Sequence, residues 1–312
     1  MNFLFILLGL TLLILGGNWL LKSAVALSLR LNIPKIVIGM TVVSFATSAP
    51  ELIVSINAAL NNASDLALGN VIGSNIANLG LVLGVTLLFG SMDVLKSFYK
   101  TDWPMMMLAS LILYYMLIND SLISQLEGVI LFASLVIFLV YLLKFQKKAV
   151  VEVEELPEDN IELPLYKTMF FLAIGGAALW GGSEFLIKGA TALAQQFGVT
   201  ERVIGVTVVS VGTSIPELAA SIIAIIKKEK AISLGNLIGS NIFNVLAVLG
   251  LTSIITPISV VDDRLLTNDI LWMLAIAFIV LPLVFIPKGL RLNWKDGLLL
   301  IVFYVFFIFQ TL

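Results

Sequence analysis

The feature that most constrains this chain is a 46-residue stretch that occurs twice. Residues 39–84 and 205–250 align without a gap at an offset of 166, and 25 of the 46 positions are identical. Each copy carries one glutamate, Glu51 or Glu217, inside a segment otherwise apolar enough to enter a bilayer. An ionisable side chain at membrane depth is expensive and is by default a functional-site hypothesis. A polar motif duplicated on interrupted helices points to a transport site between two repeats.

The rest of the chain agrees with a bilayer as its solvent. Sixty per cent of the residues are apolar, 12% are charged, and the mean hydropathy is +1.08. A soluble domain carries about 25% charged residues. The absence of histidine and cysteine excludes disulfides, thiolate chemistry, imidazole bases and the usual zinc sets. Met1–Leu21 has no basic residue ahead of its apolar run, so it reads as a first span rather than a signal peptide. Ten segments are long enough to span, at about 20 apolar residues each: 2–22, 35–60, 66–90, 102–118, 122–144, 165–194, 201–226, 232–256, 267–286 and 292–311. The expected fold is an all-α membrane protein of ten transmembrane helices.

Five spans per half is an odd number, so the second half starts on the opposite face and the repeat is inverted. The expected units are a first five-helix repeat (1–145), an acidic cytoplasmic linker (146–164) and a second five-helix repeat (165–312). The linker holds six carboxylates and two prolines without the Gly-turned loop of an EF-hand, and reads as a solvated connector. With the N-terminus outside, 15 of the 18 basic residues fall in cytoplasmic loops and only Lys188, Arg202 and Arg264 face outward. The positive-inside bias therefore places both termini outside. The expected location is the plasma membrane, the cytoplasmic membrane of a prokaryote.

Two motifs carry the polar groups. The first is Ser44-Phe45-Ala46-Thr47-Ser48-Ala49-Pro50-Glu51, matched by Ser210-Val211-Gly212-Thr213-Ser214-Ile215-Pro216-Glu217. Thr47 and Glu51 share a helix face at i, i+4. Proline clashes with the carbonyl four residues back, which predicts bends near Ala46 and Gly212 and leaves carbonyls that lipid cannot satisfy. The second motif is Gly69-Asn70-Val71-Ile72-Gly73-Ser74-Asn75-Ile76-Ala77-Asn78, matched by residues 235–244, with Ser74/Asn78 and Ser240/Asn244 at i, i+4. Its GxxxG spacing is by itself a packing signal. All these groups offer oxygen and none is a soft ligand, which suits hard cations such as calcium. Two carboxylates match one divalent ion, and sodium could occupy the flanking hydroxyls and carbonyls. No Lys or Arg that would favour an anion lies in either motif.

The paired G-T-S-x-P-E and G-N-x-I-G-S-N-I-x-N sequences resemble the two α-repeats of the calcium/cation antiporter superfamily, in particular its prokaryotic sodium/calcium exchangers. The resemblance implies calcium export against sodium entry by alternating access, with the long first and sixth helices sliding across the core. It implies ion ligands at Thr47, Ser48, Glu51, Ser74, Asn78, Thr213, Ser214, Glu217, Ser240 and Asn244, plus the carbonyls of Ser44 and Ser210. No enzymatic activity, cofactor, nucleic acid or obligate protein partner is expected; the partners are the lipid bilayer and the calcium and sodium ions. Calcium/proton exchange on the same glutamates is the alternative within the class, and a cation channel is the alternative outside it. Two positions depart from the family pattern: Ala46 stands where glycine is favoured, and Asn244 where members can carry Asp.

Overall fold

The computed structural model describes residues 2–145, 163–196, 210–286 and 289–311. The linker residues 146–162, residues 201–209 of the expected seventh span, and the side chain of Ser210 lie outside that description. The elements are α1 (Asn2–Leu31), α2 (Lys35–Thr47), α3 (Ala49–Leu60), α4 (Ser64–Phe89), α5 (Phe98–Asp120), α6 (Gln125–Phe145), α7 (Leu165–Gln196), α8 (Ser210–Gly212), α9 (Ile215–Ile226), α10 (Lys230–Ile255), α11 (Leu265–Phe285) and α12 (Trp294–Thr311). Among the described residues eight helices are long and apolar enough to cross a bilayer, and the bent pair α2/α3 makes a ninth. The expected span 201–226 is represented by α8 and α9.

Burial sorts the helices into a centre and a shell. In α4 and α10, 78% and 83% of the most apolar window is buried, against 22–39% in the other long helices. The outer faces present Leu, Ile, Val and Phe side chains, as a surface bathed in hydrocarbon requires. The second α-repeat uses its GxxxG for packing: a Cβ on Gly239 would lie 2.6 Å from Met40 Cα, so α10 and α2 touch backbone to backbone.

α1 is longer than the 2–22 expected, at 30 residues, and α7 has 32. Lys22 closes the apolar run, but no residue there stops a helix. The stop comes at Asn32, in the left-handed region at φ 52°, and at Pro34. At 1.5 Å per residue both helices exceed the roughly 30 Å hydrocarbon core, so they must tilt or project. They pack against each other through glycines. A Cβ on Gly9 would meet Leu186 N at 2.7 Å and Gly182 O at 2.8 Å. A Cβ on Gly175 would meet Leu20 N at 2.7 Å and Gly16 O at 3.0 Å. These are the same contact seen from each half, because 9, 16 and 20 become 175, 182 and 186 at the 166-residue offset. Gly9 lies by Gly182 and Gly16 by Gly175, so the two equivalent helices run antiparallel.

Among the described residues four two-residue strands, absent from the all-helix expectation, tie the halves together at the ends of the helices. β1 (Met92–Asp93) pairs with β4 (Arg291–Leu292), and β2 (Leu122–Ile123) pairs with β3 (Ile258–Ser259), both antiparallel. β3 is the repeat equivalent of β1, so the two pairings exchange the halves. Extended backbone at these loop crossings satisfies groups that no helix can reach.

Candidate cation site

The site lies where the two bent segments meet the two central helices. The sequence argument puts the bends at Ala46 and Gly212, whereas α2 runs on to Thr47 and the break falls at Ser48 (φ −88°, ψ 5°), with α3 leaving at 45°. In the second half the break falls at Thr213–Ser214. The reason is that each proline sits in the first turn of the new helix, where its missing N–H is no loss. Ser48 N–H bonds to Ser44 O at 2.9 Å, and Ser183 of α7 donates to Gly212 O at 2.6 Å. The carbonyl that Pro216 strips of its helical partner is thus recovered by a neighbouring helix.

Glu51 and Glu217 are both fully buried. Glu217 Oε1 accepts from Ser48 Oγ at 3.3 Å and Ser240 Oγ at 3.5 Å. Thr47 Oγ1 lies 3.4 Å from Ser240 Oγ and donates to Asn236 Oδ1 at 3.2 Å. Hydroxyls from the break between α2 and α3 and from α10 therefore converge on the carboxylate of α9. Ser74 and Thr213 form a second cross-repeat hydroxyl pair at 3.3 Å.

Several buried polar atoms at this centre have no protein partner. They are Glu51 Oε1 and Oε2, Glu217 Oε2, Asn78 Oδ1 and Nδ2, Asn244 Oδ1 and Ser214 Oγ. Buried polar atoms are nearly always hydrogen-bonded, and an unpaired buried carboxylate is costly. None of the three ion pairs among the described residues involves either glutamate. Six of these seven atoms are oxygens, which is the donor set a hard cation takes.

Of the residues singled out from the sequence, Thr47, Ser48, Glu217 and Ser240 form one connected cluster. Glu51, Asn78, Ser214 and Asn244, with Oε2 of Glu217, contribute the unsatisfied atoms. Ser74 pairs with Thr213. The Ser44 hydroxyl is turned away, donating to Gly39 O at 2.9 Å and Asn236 O at 3.0 Å. Ser210 opens α8. Asn78 and Asn244 each begin a π-helical stretch, Asn78–Val82 and Asn244–Leu249. Such widened turns often accompany functional sites.

Four asparagines of the repeated motif lie outside the residues singled out from the sequence. Asn70 donates to Ser55 Oγ at 3.0 Å and to Glu51 O at 3.3 Å, and its equivalent Asn236 donates to Ser221 Oγ at 3.5 Å. Asn75 bridges to Asn241 O and Asn244. The signal that could have found them is their recurrence at the 166-residue offset inside apolar spans, Asn70 with Asn236 and Asn75 with Asn241; Asn75, Asn236 and Asn241 are all buried. The departure at Ala46 also gains a setting. A Cβ on its equivalent Gly212 would meet the Ile187 side chain of α7, which would have to shift, while Ala46 faces Gly176, where even an added Cβ would remain 3.6 Å away.

The model of the family described as "Sodium/calcium exchanger protein" matches residues 1–144 and 167–312. The chain belongs to the sodium/calcium exchanger family. It is 38% identical to CaxA of Alkalimonas amylolytica, covering 97% of this chain and 96% of that one. It is 33% identical to sodium/calcium exchanger MaX1 of Methanosarcina acetivorans, covering 98% and 97%. Among solved structures it is similar to the sodium-calcium exchanger NCX_Mj soaked with zero Na+ and Ca2+. That match has a TM-score of 0.83 at 26% identity and covers 100% and 99% of the two chains. The exchanger is a multi-pass membrane antiporter with the all-helical fold of NCX_Mj, and it is not an enzyme.

Proposed function

We propose that this exchanger expels calcium from the cell in exchange for sodium entering down its gradient, by alternating access of one shared site. The observation that carries the reading is the pair of fully buried glutamates, one from each repeat, with three of their four carboxylate oxygens satisfied by no protein group. The ligands are Thr47, Ser48, Glu51, Ser74, Asn78, Thr213, Ser214, Glu217, Ser240 and Asn244, with the carbonyls of Ser44 and Ser210. One calcium ion neutralises the two carboxylates, and sodium ions take the same oxygens and the hydroxyls beside them.

The architecture in this reading is ten spans in two inverted five-helix repeats, 1–145 and 165–312, joined by a cytoplasmic linker at 146–164. Support comes from the antiparallel packing of α1 on α7 through equivalent glycines. The protein sits in the cytoplasmic membrane of a prokaryotic cell with both termini outside. The loop contacts fit this sidedness. Lys35 pairs with Glu229 at 2.8 Å, and Asp93 with Lys230 at 3.3 Å and Arg291 at 3.6 Å, all among loops assigned to the cytoplasm. On the other face Asp65 accepts from Val261 N–H at 2.8 Å and Asp262 N–H at 3.0 Å.

The test is calcium flux in vesicles holding purified protein. Glu51→Gln and Glu217→Gln keep the shape of the side chain and remove half the central charge, so both should lose nearly all calcium transport while inserting normally. Wild-type flux in either variant would sink the assignment. In the wild type a sodium gradient should drive calcium flux. If a proton gradient drives it and sodium has no effect, the counter-ion is the proton; calcium flux without any counter-ion would mean a channel.

A further inference from the structure

The asparagines of the second motif are not equivalent in the two halves. Asn75 of α4 reaches across to α10, where its Nδ2 donates to Asn241 O at 3.2 Å and lies 3.7 Å from Met273 Sδ. On its other side Asn75 Oδ1 accepts from Asn244 Nδ2 at 3.1 Å. Asn75 and Asn244 are both buried, at 1% and 0% exposure, so water does not compete for these bonds.

The chain of bonds has only one polarity. A backbone carbonyl and a thioether accept and cannot donate, so Asn75 must turn its Nδ2 toward them. Its Oδ1 then faces Asn244 and requires a donor there. Asn244 answers with Nδ2, which leaves its own Oδ1 as the atom without a partner. An amide has one oxygen end and one N–H end, and only the oxygen attracts a cation. In the other half no such relay exists. Asn241, the equivalent of Asn75, donates to Leu237 O at 2.8 Å within its own helix, and both amide atoms of Asn78 are unpaired.

We infer that Asn75 is a positioning residue that fixes the side-chain amide of Asn244 with its oxygen toward the transported cation. The inference rests on the proposed reading of Asn244 as a ligand. Asn75 itself touches no ion. It acts as the outer partner of a ligand, a role whose removal typically weakens metal binding by about 10–100-fold. It also gives the site a built-in asymmetry: one neutral oxygen held by a hydrogen bond in the second repeat, and one amide with no hydrogen-bond partner in the first.

The experiment measures equilibrium binding of radioactive calcium to the purified full-length protein, beside the melting temperature of the ion-free protein. Asn75→Leu should weaken calcium binding about tenfold. Asn75→Asp keeps an acceptor toward Asn244 and, when protonated, a donor toward Asn241 O, so it should restore most of the affinity. The decisive arm is the cycle with Asn244→Asp, whose side chain offers oxygen at both ends and needs no orienting. In that background Asn75→Leu should cost less than about twofold, a non-additive result that marks the two residues as coupled. An equal loss in both backgrounds, or a lowered melting temperature with unchanged calcium affinity, overturns the inference. If Asn75→Leu does not fold, Asn75→Ala carries the same comparison. Unchanged calcium binding in Asn244→Leu is a separate failure, of Asn244 as a ligand; weakened binding there with no effect at Asn75 defeats the positioning role alone.

Discussion

Glu51 and Glu217 hold equivalent places in the sequence but have unequal neighbours. Glu217 Oε1 accepts from Ser48 and Ser240, whereas neither oxygen of Glu51 has a protein donor. A hydroxyl that donates to a carboxylate holds it in one rotamer and can offer its own lone pair to an ion beside it. Ser240 does the first, donating to Glu217, and in the proposed site it does the second as well. Ser240→Ala should therefore lower apparent ion affinity by roughly five- to tenfold, the worth of one hydrogen bond of about 1 kcal/mol or a little more. Maximal flux should persist, because both charges remain. A transport titration that separates half-saturation from maximal rate checks this, and lost flux at saturating ion would contradict it.

Among the elements, α7 is tied to the site by the Ser183 hydroxyl on Gly212 O. This carbonyl lies one residue before Thr213, so a shift of α7 along the core must break the bond or drag the bend with it. The equivalent of Ser183 in α1 is Gly17, which has no hydroxyl to give; it packs instead against Ile223 of α9. The two long helices therefore grip the core unequally in this conformation. Ser183→Ala should leave a buried carbonyl unsatisfied, at a cost of about 1–3 kcal/mol, and Ser183→Thr should keep the bond. The readout is the melting temperature of the two variants in detergent, with a drop expected only for Ala; equal values would remove the bond from the account of how α7 is held.

For the whole molecule, sidedness and competition are the properties to test. The chain has no native cysteine, so single cysteines report cleanly. Lys96 and Arg264 are both exposed, in loops assigned to opposite faces. In intact cells a membrane-impermeant thiol reagent should label Arg264→Cys and spare Lys96→Cys; the reverse pattern would invert the topology. Because sodium and calcium share Glu51 and Glu217 in the proposed mechanism, each should weaken the other's apparent affinity by the same factor at equilibrium. Binding assays run in both directions check the reciprocity, and sodium that leaves calcium affinity unchanged would mean separate sites.

The sequence by itself determined the membrane class, the repeat and which oxygen-bearing residues make up the candidate site. Those properties are one-dimensional: apolar runs of spanning length, a fixed 166-residue offset, and carboxylates and hydroxyls within short repeated motifs; the helix face expected to be shared by Thr47 and Glu51 does not form, because the break at Ser48 puts them on α2 and α3. Thr47, Ser48, Glu217 and Ser240 were legible because each belongs to a repeated polar motif in an apolar span. Tertiary structure decided what depends on the partner across the interface. The bend moved from Ala46 to Ser48 because helix restart, not proline alone, sets the break. The Ser44 hydroxyl turned to Asn236 O, and Asn75 gained its role only by facing Asn241 and Asn244 across the repeats. Spacing along one helix says which face a side chain shares. Which carbonyl or amide waits opposite depends on how two helices from different halves are brought together, and packing settles that.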